Sequence, residues 1–204
     1  MRREERKARF EQAIAAIDAA NAGDPNLLEL DGKSIAKELL HAERATWWVR
    51  QLEPEPSEAL LLAARAHHLR RWQWPRSNHP EGRAGYHAWR RELQRHHARE
   101  AASILEASGY EAALIERVGA LICKQGLGRE PEVQVLEDAL CLVFVETQLE
   151  DFARRNPVER VIGILVKTLK KMSPAARERI PTIGSLSDAG RELALRAAAR
   201  LEDD

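Results

Sequence analysis

His67 and His68 stand side by side at the end of an apolar run and are followed at once by Arg70, Arg71 and Trp72. A neutral imidazole lends a lone pair to a transition metal and also titrates near neutral pH, so two in a row among cations suit neither a plain core nor a plain surface. His41 falls upstream on a helical stripe with Ala45, Trp48 and Leu52, and Asp138 falls downstream on another with Val135, Leu142, Val145 and Leu149. A carboxylate aimed at apolar surroundings must be hydrogen-bonded, paired or bound to metal, because burying it alone is costly. Three imidazoles from two helices and one carboxylate from a third would form a mixed nitrogen and oxygen site suited to divalent Mn, Fe, Co, Ni or Zn, with room for water. Thiolate is missing from the set, which argues against a closed structural zinc site. The plainer alternatives are that His67 packs, that His68 only hydrogen-bonds, and that Asp138 answers a buried arginine.

Cationic and aromatic residues crowd the same part of the chain. Between residues 65 and 99 there are nine arginines against Glu81 and Glu92, all five tryptophans lie between 47 and 89, and six of the seven histidines lie between 67 and 97. Guanidinium matches phosphate oxygens bidentately, which makes Arg71, Arg76, Arg83 and Arg90 candidates to hold a phosphorylated substrate, with Lys124 beside them. His97, on the inward stripe of its helix, is a candidate further ligand or a general acid for the leaving group. Residues 130–151 invert this pattern, with Glu130, Glu132, Glu137, Asp138, Glu146, Glu150 and Asp151 and no basic side chain. That acidic stretch offers the arginines an ordinary role as ion-pair partners.

The elements that must position these groups read as helices throughout. Phe10, Ile14 and Ile17 share one stripe of a helix over 3–22, which Gly23-Asp24-Pro25 stops. Ser34 is the expected N-cap of a helix to Leu52, and Ser57 that of a helix running on to Trp72 or Trp74, just before Pro75. Residues 75–85 form the one long loop, rich in proline, glycine and arginine and expected to cover the site's mouth. Further helices are expected over 86–108, 110–124, 131–155 and 157–172, then a short one after Ser173-Pro174, and a last one that Ser187 caps. No alternation of strand type stands out, so the expected fold is all-α.

Length and composition set the outer bounds. With 204 residues and 44% hydrophobic content the chain can bury a core of its own. Thirty-two basic and thirty-two acidic side chains cancel, so any electrostatic role is local and nothing calls for a membrane surface. Cys123 and Cys141 have no CxxC spacing, and the longest apolar run, 139–145, is far shorter than the roughly 20 residues of a membrane span. Residues 2–9 have the basic character of a secretory leader, but Glu4, Glu5 and Glu11 interrupt it and no apolar segment follows. The expectation is a soluble cytoplasmic protein. The fingerprints of dinucleotide binding, the P-loop and the HExxH metalloproteases are absent from the sequence.

Two resemblances follow from these residues. A histidine on one helix, a histidine with its neighbour at the end of the next, and a distant aspartate on a later one is the order of the HD-domain metal-dependent phosphohydrolases. His41, His67-His68 and Asp138 stand in those places, with His68 where that family has aspartate. More closely, 13–25, 63–72, the loop ending Gly82-Arg83-Ala84-Gly85-Tyr86 with Trp89-Arg90, and 136–146 resemble the family called domain of unknown function 4202, over most of residues 10–150. The HD likeness implies an all-α bundle of about seven to nine helices, a core over 1–155 with a helical appendage over 156–204, and phosphohydrolysis of a nucleotide or other small phosphate ester. The alternative from another class is a non-catalytic module that binds single-stranded RNA or a nucleotide through arginine charge and tryptophan stacking.

Overall fold

In the computed structural model, which describes residues 3–30 and 32–202, apolar residues at helical period are buried where their spacing places them. Arg2 of the basic start lies outside the described residues. Helix α1 (Arg3–Asn21) buries Ala13 and Ile17, and α2 (Lys37–Leu52) buries Leu40, Ala45, Trp48 and Val49. Helix α3 (Glu58–Ala66) starts as expected, with the Ser57 hydroxyl accepting from the Leu60 N–H at 3.1 Å. There follow α4 (Gly82–Ala107), α5 (Ala112–Ile122), α6 (Pro131–Thr147), α7 (Leu149–Arg155), α8 (Val158–Leu169), the single turn α9 (Pro174–Arg177) and α10 (Asp188–Glu202). Helix α2 packs on α6 and α3, α4 on α5, and α8 on α10. One buried apolar cluster runs from Ala13 through Leu62, Leu105 and Leu142 to Ala197. The fold is thus all-α but for one small sheet, and no helix among the described residues is long and apolar enough to cross a membrane.

That sheet corrects the first expectation. Strands β1 (Leu27–Leu30) and β2 (Lys33–Ala36) form an antiparallel hairpin in which Leu28 faces Ile35, with Gly32 at φ +73° in the turn. Four residues a side are too few for alternation to show. Ser34 therefore lies in a strand and does not cap α2, which begins after Ala36 with no side-chain cap of its own. Its exposed N–H groups are answered from before the hairpin: Lys37 donates to the Asn26 carbonyl at 2.9 Å and Glu38 to the Asp24 carboxylate at 3.1 Å. The other oxygen of Asp24 accepts from the Asn26 main chain and side chain at 2.9 and 2.7 Å.

Three helix boundaries also move. Helix α3 stops at Ala66, short of Trp72, because the His67 ring takes the Ala64 carbonyl at 2.8 Å and Arg70 turns left-handed at φ 50° ahead of a 3-10 turn over Arg71–Gln73. The long loop holds a second 3-10 turn, Arg76–Asn78, and α4 opens at Gly82, four residues earlier than expected. Gly85 in its first turn is required by close approach, since a Cβ there would overlap the Pro80 carbonyl oxygen. The helix expected over 131–155 breaks at Gln148 into α6 and α7.

A candidate metal centre at the end of the third helix

Helix α2 contributes Glu38 and His41, three residues apart on one face and both buried. The turn that ends α3 contributes His67 and His68, and α4 contributes His97 from its buried face. One oxygen of Glu38 lies 3.3 Å from His41 Nδ1 and 3.0 Å from His68 Nδ1. Glu38, His41 and His68 each offer a ligand atom within 4.8 Å of the other two, close enough for one ion to join them. The His67 and His68 rings are 4.1 Å apart between centroids, and those of His68 and His97 are 5.7 Å apart. His67 Nδ1 meets the Ala64 carbonyl at 2.8 Å and His97 Nδ1 meets that of Leu69 at 2.7 Å. A carbonyl only accepts, so in both rings Nδ1 carries the proton and Nε2 the lone pair.

Two of these nitrogens are orphans. Nε2 of His41 and Nε2 of His97 are buried without a hydrogen-bond partner, on side chains only 2% exposed. A buried polar atom left unpaired is uncommon and asks for an ion or a water to answer it. Burial also keeps the rings neutral: it pushes His67 well below its ordinary pKa of 6.5 and His97 down to about 3. His68, whose side chain is 33% exposed and forms the cluster's edge to solvent, shifts the same way, chiefly by burial and against the pull of Glu38. Burial opposes ionisation of Glu38, but its interactions with His68 and His41 outweigh that and hold the carboxyl well below the usual carboxylate range. The arrangement sets one anion, bonded to His41 and His68, among imidazoles of which burial keeps His67, His68 and His97 neutral.

The remaining expected site residues fall in several places. Asp138 is buried, as its stripe implied, but one of its oxygens accepts from the Gln134 amide at 2.9 Å and the Ser173 N–H at 2.8 Å, and it is not in the Glu38, His41 and His68 group. Arg71 lies by the imidazoles, where its charge acts on His68 and His97; its guanidinium sits over the Trp89 ring at 5.4 Å and its Nε is buried and unpartnered. Arg76 is bonded to its own loop, donating to the carbonyls of His79 and Pro80 at 2.8 and 2.7 Å. Arg83 is exposed on the first turn of α4. Arg90 donates to the Tyr86 hydroxyl at 3.3 Å, and Lys124 pairs with buried Glu137. The acids of α6 pair with Arg44, Arg117, Lys124 and Lys171, while Arg65 and Arg70 find Asp18 and Glu100, so the ion pairs found for this cationic stretch lie outside α6.

Glu38 is the site residue that sequence reasoning missed. Its signal was present: Glu38-Leu39-Leu40-His41 is a Glu-x-x-His spacing, which sets both side chains on one helix face and recurs in helical metal sites.

Compared with known proteins, the chain matches one family model, described as Domain of unknown function (DUF4202), over residues 11–195. No curated protein and no solved structure matches it.

Proposed function

Since the chain belongs to the family described as Domain of unknown function (DUF4202), a description that carries no activity, we propose from the site itself that it is a metal-dependent phosphohydrolase acting on a nucleotide or other small phosphate ester. What carries the reading is the gathering of two imidazoles about one ionised carboxylate, with buried nitrogens lacking a partner, beside Arg71, whose Nε is buried without a hydrogen-bond partner. A divalent ion held by this group would supply Lewis acidity and lower the pKa of a bound water toward neutrality. His41 and His68 would hold it together with Glu38, the three whose ligand atoms lie within 4.8 Å of one another, and His67 and His97 stand around them. Arg71 would offer its guanidinium to phosphate oxygens, with the Trp89 ring centroid 5.4 Å from its central carbon. Substrate enters along the exposed edge of His68. His97 serves better as a donor to the ion than as an acid, because a ring with its pKa near 3 has no proton on Nε2 to give at neutral pH. Asp138 acts at a distance, by tying α6 to the start of α9 through Ser173.

The binding-module reading ranks second, because the indole faces it needs are in use. Arg44 lies over Trp47, Arg71 over Trp89, and the His96 ring against Trp74 at 4.9 Å. One experiment separates the two. Protein purified without chelator is assayed for metal, then tested for phosphate release from nucleoside mono-, di- and triphosphates with Mn, Co, Ni or Zn added. The hydrolase reading expects release that chelation abolishes and metal restores. Silence across the panel from protein that holds a metal, with nucleotide affinity unchanged by chelation, would establish the binding module instead.

A further inference from the structure

We propose that the outer face of α4 binds the phosphate backbone of a single-stranded nucleic acid through Arg83, Arg91, Arg95 and Arg99, with Tyr86 and His87 offering ring faces to its bases. The proposal goes beyond the hydrolase reading and does not rest on it.

Helix α4 carries two rows of side chains. Gly85, Trp89, Leu93, His97, Ala101 and Leu105 recur at every fourth residue and are buried. Arg83, His87, Arg91, Arg95 and Arg99 recur at the same interval, two residues out of step, and all five are exposed. Two residues are about 200° around a helix, so the second row lies opposite the first along its length. It presents one side chain about every 6 Å over a span of about 24 Å. No acid lies on it. The nearby acids of α4 are engaged elsewhere, Glu92 with His79 at 2.9 Å and Glu100 with Arg70. None of the four guanidiniums has an ion-pair or hydrogen-bond partner among the described residues.

Left alone, this row works against its own helix. Like charges four residues apart destabilise a helix, and Arg91, Arg95 and Arg99 make two such pairs in succession. Arg83 stands in the first turn, where a cation opposes the helix dipole, and no acid is there to offset it. A partner with one negative charge per repeat relieves all of these, and guanidinium meets phosphate oxygens bidentately. The rings at the start of the row decide between partners. Tyr86 is 41% exposed, and its ring centroid lies 5.7 Å from that of exposed His87. An acidic protein would use the charges and leave these rings idle, whereas unpaired bases stack on such rings while the backbone follows the cations. Base pairing would hide the bases, which selects a single strand over a duplex. The buried row carries His97 to the metal centre, so the width of the helix separates the two surfaces.

Fluorescence anisotropy of a labelled oligouridylate of about 16 nucleotides tests the proposal, titrated with the full chain in chelator so that no ion occupies the metal centre. For wild type, log Kd should rise against log salt with a slope of about 3, from about 0.7 for each of four phosphates. Replacing three of the row by Arg91→Gln, Arg95→Gln and Arg99→Gln together should cut the slope to about 1 and weaken binding at least roughly tenfold at low salt. The urea midpoint of that variant should hold or rise, because two repulsions are gone. Lysine at the same three positions should keep the slope, and Tyr86→Ala should weaken binding without changing it. The deoxyuridylate of equal length distinguishes the sources: equal affinity assigns the row to phosphate alone, and a preference for RNA adds a contact to the 2′-hydroxyl. Absence of salt-sensitive binding by folded wild type overturns the proposal, as does binding that the triple glutamine variant leaves intact. Tighter capture of polyglutamate than of the oligonucleotide would assign the row to an acidic protein and overturn it too. The wild-type slope and the polyglutamate comparison decide even if a variant misfolds. Oligonucleotide binding with a silent phosphatase panel would sink hydrolysis alone, and phosphate release without such binding would sink this proposal alone.

Discussion

Protonating a buried imidazole in this cluster works against the fold, and the sign of that effect can be derived. His97 has a pKa near 3 in the fold and 6.5 when unfolded, and His67 is lowered as well. Between those values the unfolded chain binds protons that the folded one refuses, so stability is fully present above pH 6.5 and declines as the pH falls toward 3. At pH 5 the loss is about 2 kcal/mol for His97, and His67 adds to it in the same direction. Urea midpoints of metal-free protein should therefore be clearly lower at pH 5 than at pH 7.5; equal midpoints would mean that the rings are solvated. His68→Ala should reduce metal content and turnover together by at least tenfold, while nucleotide affinity carried by Arg71 falls much less, as metal analysis and equilibrium binding would show. The histidines were legible because few other roles suit adjacent imidazoles among cations. Glu38 was not, because an acid in the first turn of a helix reads as a complement to the helix dipole.

Helices α2 and α6 are joined by one carboxylate. Glu146 accepts from Nε and Nη2 of Arg44, at 2.9 and 2.6 Å, and from the Trp48 indole at 2.8 Å. Glu146→Ala leaves the indole N–H and the guanidinium without an acceptor and should cost about 1–3 kcal/mol in urea unfolding. Gly85→Ala should cost a similar 1–3 kcal/mol, because the new methyl meets the Pro80 carbonyl and the loop must shift. A wild-type midpoint in that variant would show that the loop yields freely. Element identity was legible wherever a run was long and periodic, as in α4 and α6. The boundaries that moved did so because the deciding bonds come from afar or from a side chain: Asp24 reaches across the hairpin to start α2, and the His67 ring ends α3.

Across the molecule, equal numbers of opposite charges do not merely cancel; they are sorted into pairs that tie distant elements, such as Arg65 with Asp18 and Arg44 with Glu146. The buried cluster continues through Val161, Leu165 and Ala194, and Glu150 holds Ser187 at the start of α10. A chain ending at residue 155 should accordingly lose its single cooperative unfolding transition, which calorimetry of the truncated protein would reveal. The sequence shows this continuity poorly, because Asn156-Pro157 looks like a boundary whether or not a core crosses it. The Asp24 clamp has one more effect. Glu38, whose side chain orients two imidazoles, has its own main-chain hydrogen held by a carboxylate fourteen residues earlier. Its deuterium exchange is therefore a reporter on the centre, placed on the same residue as the carboxylate that meets both imidazoles. Exchange at this single amide should slow when metal is added and quicken in Asp24→Ala, so that the entry to the hairpin tunes metal affinity through the main chain of Glu38.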